Sequence, residues 1–129
     1  MADLTILHNA RCSTSRAALE TIVAAGISAE VLTYLTHPLD AAALGDLVDK
    51  LEDPPTDLVR RDPYFAGLGL TDADVATREQ VVAVLAEHPR LMQRPVLVRG
   101  SRAIIGRPKD RVAAFLTEHP RNTPAPPQR

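Results

Sequence analysis

The chain has 129 residues, a formal charge of −1 and a hydrophobic fraction of 45%. This length suits one domain with a modest core, and the balanced charge gives no overall signature of nucleic-acid or membrane binding. Aromatic residues make up only 3% of the chain and Trp is absent, which argues against a base-stacking platform. No apolar run is long enough to span a bilayer, and the N-terminus lacks the pattern of a secretory signal, so we expect a cytoplasmic protein.

The first segments alternate between strand and helix patterns. Residues 4–7 form an apolar run typical of a buried strand, and residues 30–35 are rich in β-formers. Between them, a helical pattern begins near Ser13 and should end near Gly26, a residue that favours helix termination. Together these segments predict a parallel βαβ unit with a right-handed crossover. The apolar residues expected to fall largely on one face of this helix are Ala17, Ala18, Leu19, Ile22 and Val23.

The middle of the chain, about residues 40–88, is predicted to be helical. Asp40 is a candidate N-cap for a helix that runs to about Leu51, and Thr77 with Gln80 fits a capping box that opens another helix. Thr56 is expected to cap a shorter helix that carries Arg60 and Arg61.

The last third of the chain predicts two strands and a helix. Residues 95–98 and 103–105 are strand-like, and a hairpin joins them. A final helix should then pack Val112, Phe115 and Leu116 inward, and residues 119–129, rich in Pro and polar residues, are expected to be a disordered tail. The order βαβ, helices, ββα predicts an α/β thioredoxin-like domain over residues 1–118, with a mixed four-stranded sheet and a helical insertion between its two halves.

Cys12 lies where the first strand ends and the first helix begins. The free N–H groups of a helix N-terminus favour an anion, whether a thiolate or an oxyanion substrate. His8, Arg11 and Arg16 add donors or positive charge nearby. Such surroundings lower a cysteine pKa and make the thiol nucleophilic. The alternative is that Cys12 is a small buried hydrophobic residue, but its polar neighbours favour the reactive thiol. Since it is the single cysteine, an internal disulfide and multi-cysteine zinc or iron–sulfur sites are excluded.

The loop from His8 to Arg16, His-Asn-Ala-Arg-Cys-Ser-Thr-Ser-Arg, closely resembles the active-site loop of the glutaredoxin-coupled arsenate reductases. The resemblance spans about residues 4–116, although Ala10 stands where the family usually has Pro. Further similar segments, in order, are residues 34–35, 57–61, 87–89, 94–98 and 105–108.

The resemblance implies that Cys12 attacks the arsenic of arsenate. It also implies glutathione, or an equivalent low-molecular-weight thiol, as co-substrate, glutaredoxin as partner, and no bound cofactor or metal. Arg94 precedes Pro95, where the family implies a cis peptide bond that aims the guanidinium at Cys12. The remaining implied roles are oxyanion binding by Arg60, Arg94 and Arg107, support of the thiolate by His8, and a hydrogen bond from Ser15 to the sulfur.

Simple chemistry agrees with these roles. Arginine is the preferred partner of a multiply charged oxyanion because its planar fork donates two parallel hydrogen bonds. A chain with one cysteine also needs an external thiol to resolve a covalent adduct. Other interpretations stay open: the arginines as solvated surface groups, His8 as a residue that only shapes the loop, and His88 as a helix-end residue.

Two other functions compete with arsenate reduction. One is a glutathione-linked thiol oxidoreductase with another substrate, because fold and thiol do not determine the substrate. The other is a non-catalytic regulator that binds RNA polymerase, as in the related Spx proteins, whose redox-sensing members carry a Cys-x-x-Cys motif that this chain lacks. Three arginines that converge on Cys12 favour the reductase. We expect a monomer, since no dimerisation element is evident.

Overall fold

A computed structural model describes residues 4–107 and 110–117. Its sheet has the strand order β2-β1-β3-β4, in which β1 and β2 are parallel and β3 runs antiparallel to both β1 and β4. The mixed four-stranded sheet predicted from the sequence is therefore confirmed. The strands are β1 Leu4–Leu7, β2 Ala29–Leu32, β3 Val96–Arg99 and β4 Arg102–Ile105.

Helices cover both faces of this sheet. One core lies beneath the first and last helices and contains Ile6 and Leu97, and the other lies beneath the middle helices and contains Leu7 and Val96. This division follows from the strands, in which successive side chains point to opposite faces. The arrangement is thioredoxin-like, with helices between β2 and β3. Among the described residues the α-helices are α1 Ser13–Ala24, α2 Ala41–Lys50, α3 Pro63–Gly67, α4 Arg78–Glu87 and α5 Asp110–Thr117.

The local signals at the helix ends act as the sequence predicted. The carboxylate of Asp40 accepts a hydrogen bond from the backbone N–H of Ala43 at 2.8 Å and begins α2. Thr77 and Gln80 form the capping box of α4. Gly26, with a positive φ of 74°, follows the end of α1.

Three local expectations were wrong. The second strand ends at Leu32, because the next residues form a turn in which the N–H groups of Thr36 and His37 bond to the carbonyl of Thr33. Val23 is 69% exposed, since α1 buries a narrower face that includes Ala18 and Ile22. The short helix expected from Thr56 is a 3-10 turn over Pro55–Leu58, and Arg60 lies beyond it in an extended segment.

One edge of the sheet, which runs across the strand direction, holds the last residues of β1, β2 and β4 and the first residue of β3. Because β3 runs opposite to its neighbours, its first residue lies beside the last residues of β1 and β4. The loop that holds Cys12, the turn after β2, Arg94 before β3 and Arg107 after β4 consequently meet at this edge. Pro108 and the predicted tail, residues 119–129, lie outside the described residues, among which no helix is long and apolar enough to cross a membrane.

Candidate active site around Cys12

Cys12 occupies the N-cap position of α1 and is 9% exposed. Its backbone is extended, its N–H bonds to the carbonyl of Asn9, and its own carbonyl accepts the N–H of Arg16 at 3.0 Å. These bonds hold the loop against the helix. The sulfur therefore lies near the first N–H groups of α1, those of Thr14 and Ser15, although no side-chain cap hydrogen bond forms.

The surroundings of Cys12 favour its thiolate. Burial raises the pKa of the Cys12 thiol, but the backbone N–H of Ser15, the guanidinium of Arg94 and the N–H of Thr14 outweigh this effect. The pKa of Cys12 consequently lies below its ordinary value. A lowered pKa increases the fraction of the nucleophilic thiolate at any given pH.

His8 and Ser15 support the Cys12 loop through hydrogen bonds on its buried side. Nδ1 of His8 lies 2.7 Å from the hydroxyl oxygen of Ser15, which also accepts the backbone N–H of Asn9 at 3.1 Å. Both side chains are buried, and Ser15 is 0% exposed. The hydroxyl of Ser15 thus bonds to the loop, and it is the backbone N–H of this residue that acts on the sulfur.

The imidazole of His8 is uncharged at neutral pH. Burial lowers its pKa, and the positive charge of Arg16 lowers it further. Among the described residues, no hydrogen bond joins His8 to the sulfur of Cys12. The structure therefore gives His8 a role in holding Ser15 and the loop rather than in pairing directly with the thiolate.

Arg107 and Arg94 meet at Cys12. Nη2 of Arg107 donates to the sulfur at 3.4 Å, and its Nε donates to the backbone carbonyl of Arg94 at 2.6 Å. The Arg94–Pro95 peptide bond is cis. The structure therefore brings together two of the three predicted arginines, from opposite ends of neighbouring strands, at the thiol.

Among the described residues, no hydrogen bond joins Arg60 to the sulfur of Cys12. Nε of Arg60 forms an ion pair with Asp62 at 3.5 Å, and its charge acts on the buried hydroxyl of Tyr34. Asp62 also caps α3 by accepting the N–H of Phe65. The acidic residue partly neutralises Arg60, so the structure supports this arginine less directly than Arg94 and Arg107 as a ligand of an anion at Cys12.

An open cavity of about 700 Å³ adjoins the Cys12 loop. It is lined by residues 8–11, by Arg94 and by Arg90, whose guanidinium stacks over the ring of Tyr64 at 4.1 Å. Positive groups outnumber the single carboxylate of the lining, that of Asp62. The cavity therefore suits a polar, anionic molecule that approaches the thiol. Within the described part of the chain, no cluster of three or more His, Cys, Asp or Glu side chains is arranged to hold a metal ion.

Known proteins resemble this chain over nearly its full described length. The model of the ArsC family matches residues 7–115. The chain belongs to the ArsC family. An arsenate reductase of Neisseria meningitidis serogroup B is 36% identical over 118 residues, which cover 90% of this chain and all of that protein. An Escherichia coli arsenate reductase is 33% identical over 120 residues, which cover 92% of this chain and 84% of that one.

The structural comparison agrees with this assignment. An arsenate reductase structure from Vibrio cholerae superposes with a TM-score of 0.78 and 30% identity, covering 88% of this chain and 97% of that one. The resemblance inferred from the loop of Cys12 is thus confirmed at the level of the ArsC family and its thioredoxin-like fold.

In this ArsC-family chain, sequence reasoning had assigned no role to Tyr34. It follows β2 and is 1% exposed, yet its hydroxyl lies among Asn9, Arg60 and Arg94. A usable signal existed, since β1 and β2 are parallel strands whose carboxyl ends share one edge. A tyrosine just after β2 is therefore expected near a thiol just after β1.

Proposed function

We propose that this chain reduces arsenate to arsenite, with Cys12 as the nucleophile. The observation that carries the proposal is the contact of the Cys12 sulfur with Arg107 at 3.4 Å, beside Arg94 and the N-terminus of α1. A thiolate that lies beside hydrogen-bond donors in fixed positions is suited to attack a tetrahedral oxyanion, because the same donors can hold the oxygens of the substrate. The ArsC-family relatives named as arsenate reductases support this choice of oxyanion.

In the first step, the Cys12 thiolate attacks arsenic and an S–As bond forms. One As–O bond breaks, and the departing hydroxyl takes up a proton and leaves as water, while arsenic stays in the +5 state. Arg94 and Arg107 hold the remaining oxygens of the adduct, with Arg60 in a less direct role. The arginines lower the barrier because they are already oriented toward the developing charge.

In the second step, an external thiol attacks the sulfur of Cys12. An S–S bond forms, the S–As bond breaks and its electron pair stays on arsenic, which leaves as arsenite in the +3 state. We assign this role to glutathione or an equivalent small thiol, which the cationic cavity of about 700 Å³ has room for. A thiol of glutaredoxin then exchanges with the mixed disulfide and restores Cys12.

The deciding experiment is NADPH consumption with arsenate, glutathione, glutaredoxin and glutathione reductase. We expect arsenate-dependent turnover that disappears in Cys12→Ser. Glutathione is then replaced by other thiols to test the reductant separately from the substrate. Rapid alkylation of Cys12 without arsenate turnover, with every thiol tried, would reject arsenate and favour a thiol oxidoreductase with a different substrate. Stoichiometric binding to RNA polymerase in place of turnover would favour the regulator.

A further inference from the structure

Two buried polar atoms in the active site lack hydrogen-bond partners among the described residues. They are the hydroxyl oxygen of Tyr34 and Nε of Arg94. Buried polar atoms in folded proteins nearly always form hydrogen bonds, so a buried atom without one at a candidate site needs a functional explanation. Among the described residues, no other buried side-chain nitrogen or oxygen atom lacks a hydrogen-bond partner.

Tyr34 reaches the site from the core. Its side chain is 1% exposed and packs with Leu7 and Phe65 beneath the middle helices. Burial raises the pKa of the Tyr34 hydroxyl, and nearby Arg94, Asn9 and Arg60 only oppose that rise. The hydroxyl therefore stays protonated at neutral pH. Arg94 and Asn9 lie close to it, but neither meets the geometry of a hydrogen bond.

The two unpaired atoms are complementary. Nε–H of Arg94 is a donor without an acceptor, and the hydroxyl oxygen of Tyr34 is an acceptor without a donor. The backbone of Arg94 is already held, because its carbonyl accepts Nε of Arg107 at 2.6 Å. Nε of Arg94 has no hydrogen-bond partner among the described residues, so the guanidinium can change its orientation without breaking a bond at that atom. Pairing Nε–H with the hydroxyl oxygen of Tyr34, which lies near this guanidinium, requires a rotation of the side chain.

We propose that Tyr34 is a positioning residue for Arg94: its hydroxyl oxygen accepts Nε–H as the guanidinium turns toward an anion at Cys12. That anion is the thiolate itself or, if the proposed function holds, the bound oxyanion. The guanidinium is planar, and its donors point in fixed directions. Engaging Nε with Tyr34 consequently orients the two Nη groups toward the sulfur and the oxygens bound to it.

The test is the pH profile of Cys12 alkylation by iodoacetamide, which needs no arsenate. Cys12 is the single cysteine, so the signal comes from one site. Arg94→Met is expected to raise the thiol pKa, and Tyr34→Phe to raise it in the same direction by a smaller amount. In the double variant, the effect of Tyr34→Phe should vanish, because it acts through Arg94. Arg94→Gln replaces Arg94→Met if the latter does not fold.

A matched control is Tyr64→Phe, which removes the hydroxyl of the other tyrosine in the chain. Tyr64 contacts His88 and Arg90, and its hydroxyl is not among the groups that act on the pKa of Cys12, so the alkylation profile of this variant should match wild type. Tyr34→Phe should also leave the thermal midpoint unchanged or higher, since it deletes a buried hydroxyl without a partner. With arsenate, we expect its kcat/KM to fall about tenfold or more, as for loss of one hydrogen bond to a charged group.

Each result has a clear meaning. The proposal is overturned if the alkylation profile of Tyr34→Phe superimposes on wild type, or if its shift persists undiminished without the Arg94 guanidinium. A lower thermal midpoint without any alkylation shift would assign Tyr34 to the core alone and also overturns it. Coupling between Tyr34 and Arg94 in a protein that does not turn over arsenate would support the positioning role and reject only the proposed substrate.

Discussion

At the residue scale, the chemistry of Cys12 depends on a few opposing effects. Removal of the sulfur from water disfavours a thiolate, while helix N–H groups and a guanidinium favour it. The favourable effects prevail although the sulfur is buried: two of the donors are backbone N–H groups that α1 holds in place, and Arg107, which donates to the sulfur, is fixed by a second bond to the carbonyl of Arg94. A cysteine with the same exposure but away from a helix N-terminus would be inert.

The first prediction concerns the pH dependence of Cys12. Since its pKa is lowered, the reactive thiolate should be present below the pH at which an unperturbed cysteine ionises, about 8.5. The rate of iodoacetamide alkylation should rise with pH and reach half its maximum below that value. The rate against pH, followed by mass spectrometry, is the measurement. A midpoint at or above that of a denatured control would contradict a stabilised thiolate.

The second prediction concerns the arginines proposed to bind the oxyanion. Arg94→Lys should lower kcat/KM for arsenate about tenfold to a hundredfold, because an ammonium group does not reproduce two parallel hydrogen bonds. Steady-state kinetics in the coupled assay measure this effect. Arg78→Lys is the matched control: Arg78 pairs with Asp49 on the surface, and its kinetics should equal those of wild type. Equal kinetics for both variants would remove Arg94 from the oxyanion site.

At the scale of elements, the junction of β3 and β4 positions both arginines. Gly106 follows β4, and its N–H bonds to the carbonyl of Pro95 at 2.8 Å. A Cβ atom at Gly106 would lie 2.9 Å from Pro95, 3.0 Å from Leu97 and 3.2 Å from Val112. The close approach of the Gly106 backbone to Pro95 therefore requires glycine. Arg107 follows Gly106 and Arg94 precedes Pro95, so this contact joins the segments that carry the two arginines.

The third prediction is that Gly106→Ala damages stability and activity together. The added methyl group must displace Pro95 or its neighbours, at a cost of about 1–3 kcal/mol in the free energy of unfolding. It should also shift Arg94 and Arg107 and reduce turnover. Urea unfolding and the coupled assay are the measurements. Gly67→Ala is the control, because a Cβ at Gly67 meets no atom within 4 Å; similar losses in both variants would refute the steric argument.

At the scale of the whole molecule, the helical insertion is tied to the sheet by the segment after α2. Leu51 bridges Ala103, whose carbonyl also accepts the N–H of Glu52 at 2.9 Å. The carboxylate of Asp53 then accepts the N–H of Ile105 at 3.0 Å and the guanidinium of Arg111, on α5, at 2.8 Å. These bonds cover the outer edge of β4 and join the insertion, the sheet and α5.

The fourth prediction is that Asp53→Ala weakens this connection. It leaves the N–H of Ile105 without its acceptor, which should cost about 1–3 kcal/mol of unfolding free energy. The loss is measured by urea unfolding. In Asp57→Ala the effect should be close to zero, since no hydrogen bond from another described residue reaches that exposed carboxylate. Identical unfolding midpoints for wild type and Asp53→Ala would show that the connection does not depend on Asp53.

Local chemistry in the sequence was enough for most of the elements and for the position of the candidate nucleophile. Apolar periodicity and the caps at Asp40 and Thr77 act over a few residues, so the helices they begin were predictable. The position of Cys12 between a strand and a helix was likewise predictable from the sequence. Where the local signal was ambiguous, as in the β-rich residues 33–35, the turn after β2 prevailed over strand propensity.

Only the tertiary structure decided which side chains meet around the thiol. Arg107 contacts a sulfur 95 residues earlier in the chain, because β4 is parallel to β1 and ends at the same edge. The same packing directs the hydroxyl of Ser15 to His8, pairs Arg60 with Asp62 and buries Tyr34 beside Arg94. Sequence determined the chemical groups and the local elements that carry them, whereas their partners depend on strand order and burial, which arise from contacts between distant parts of the chain.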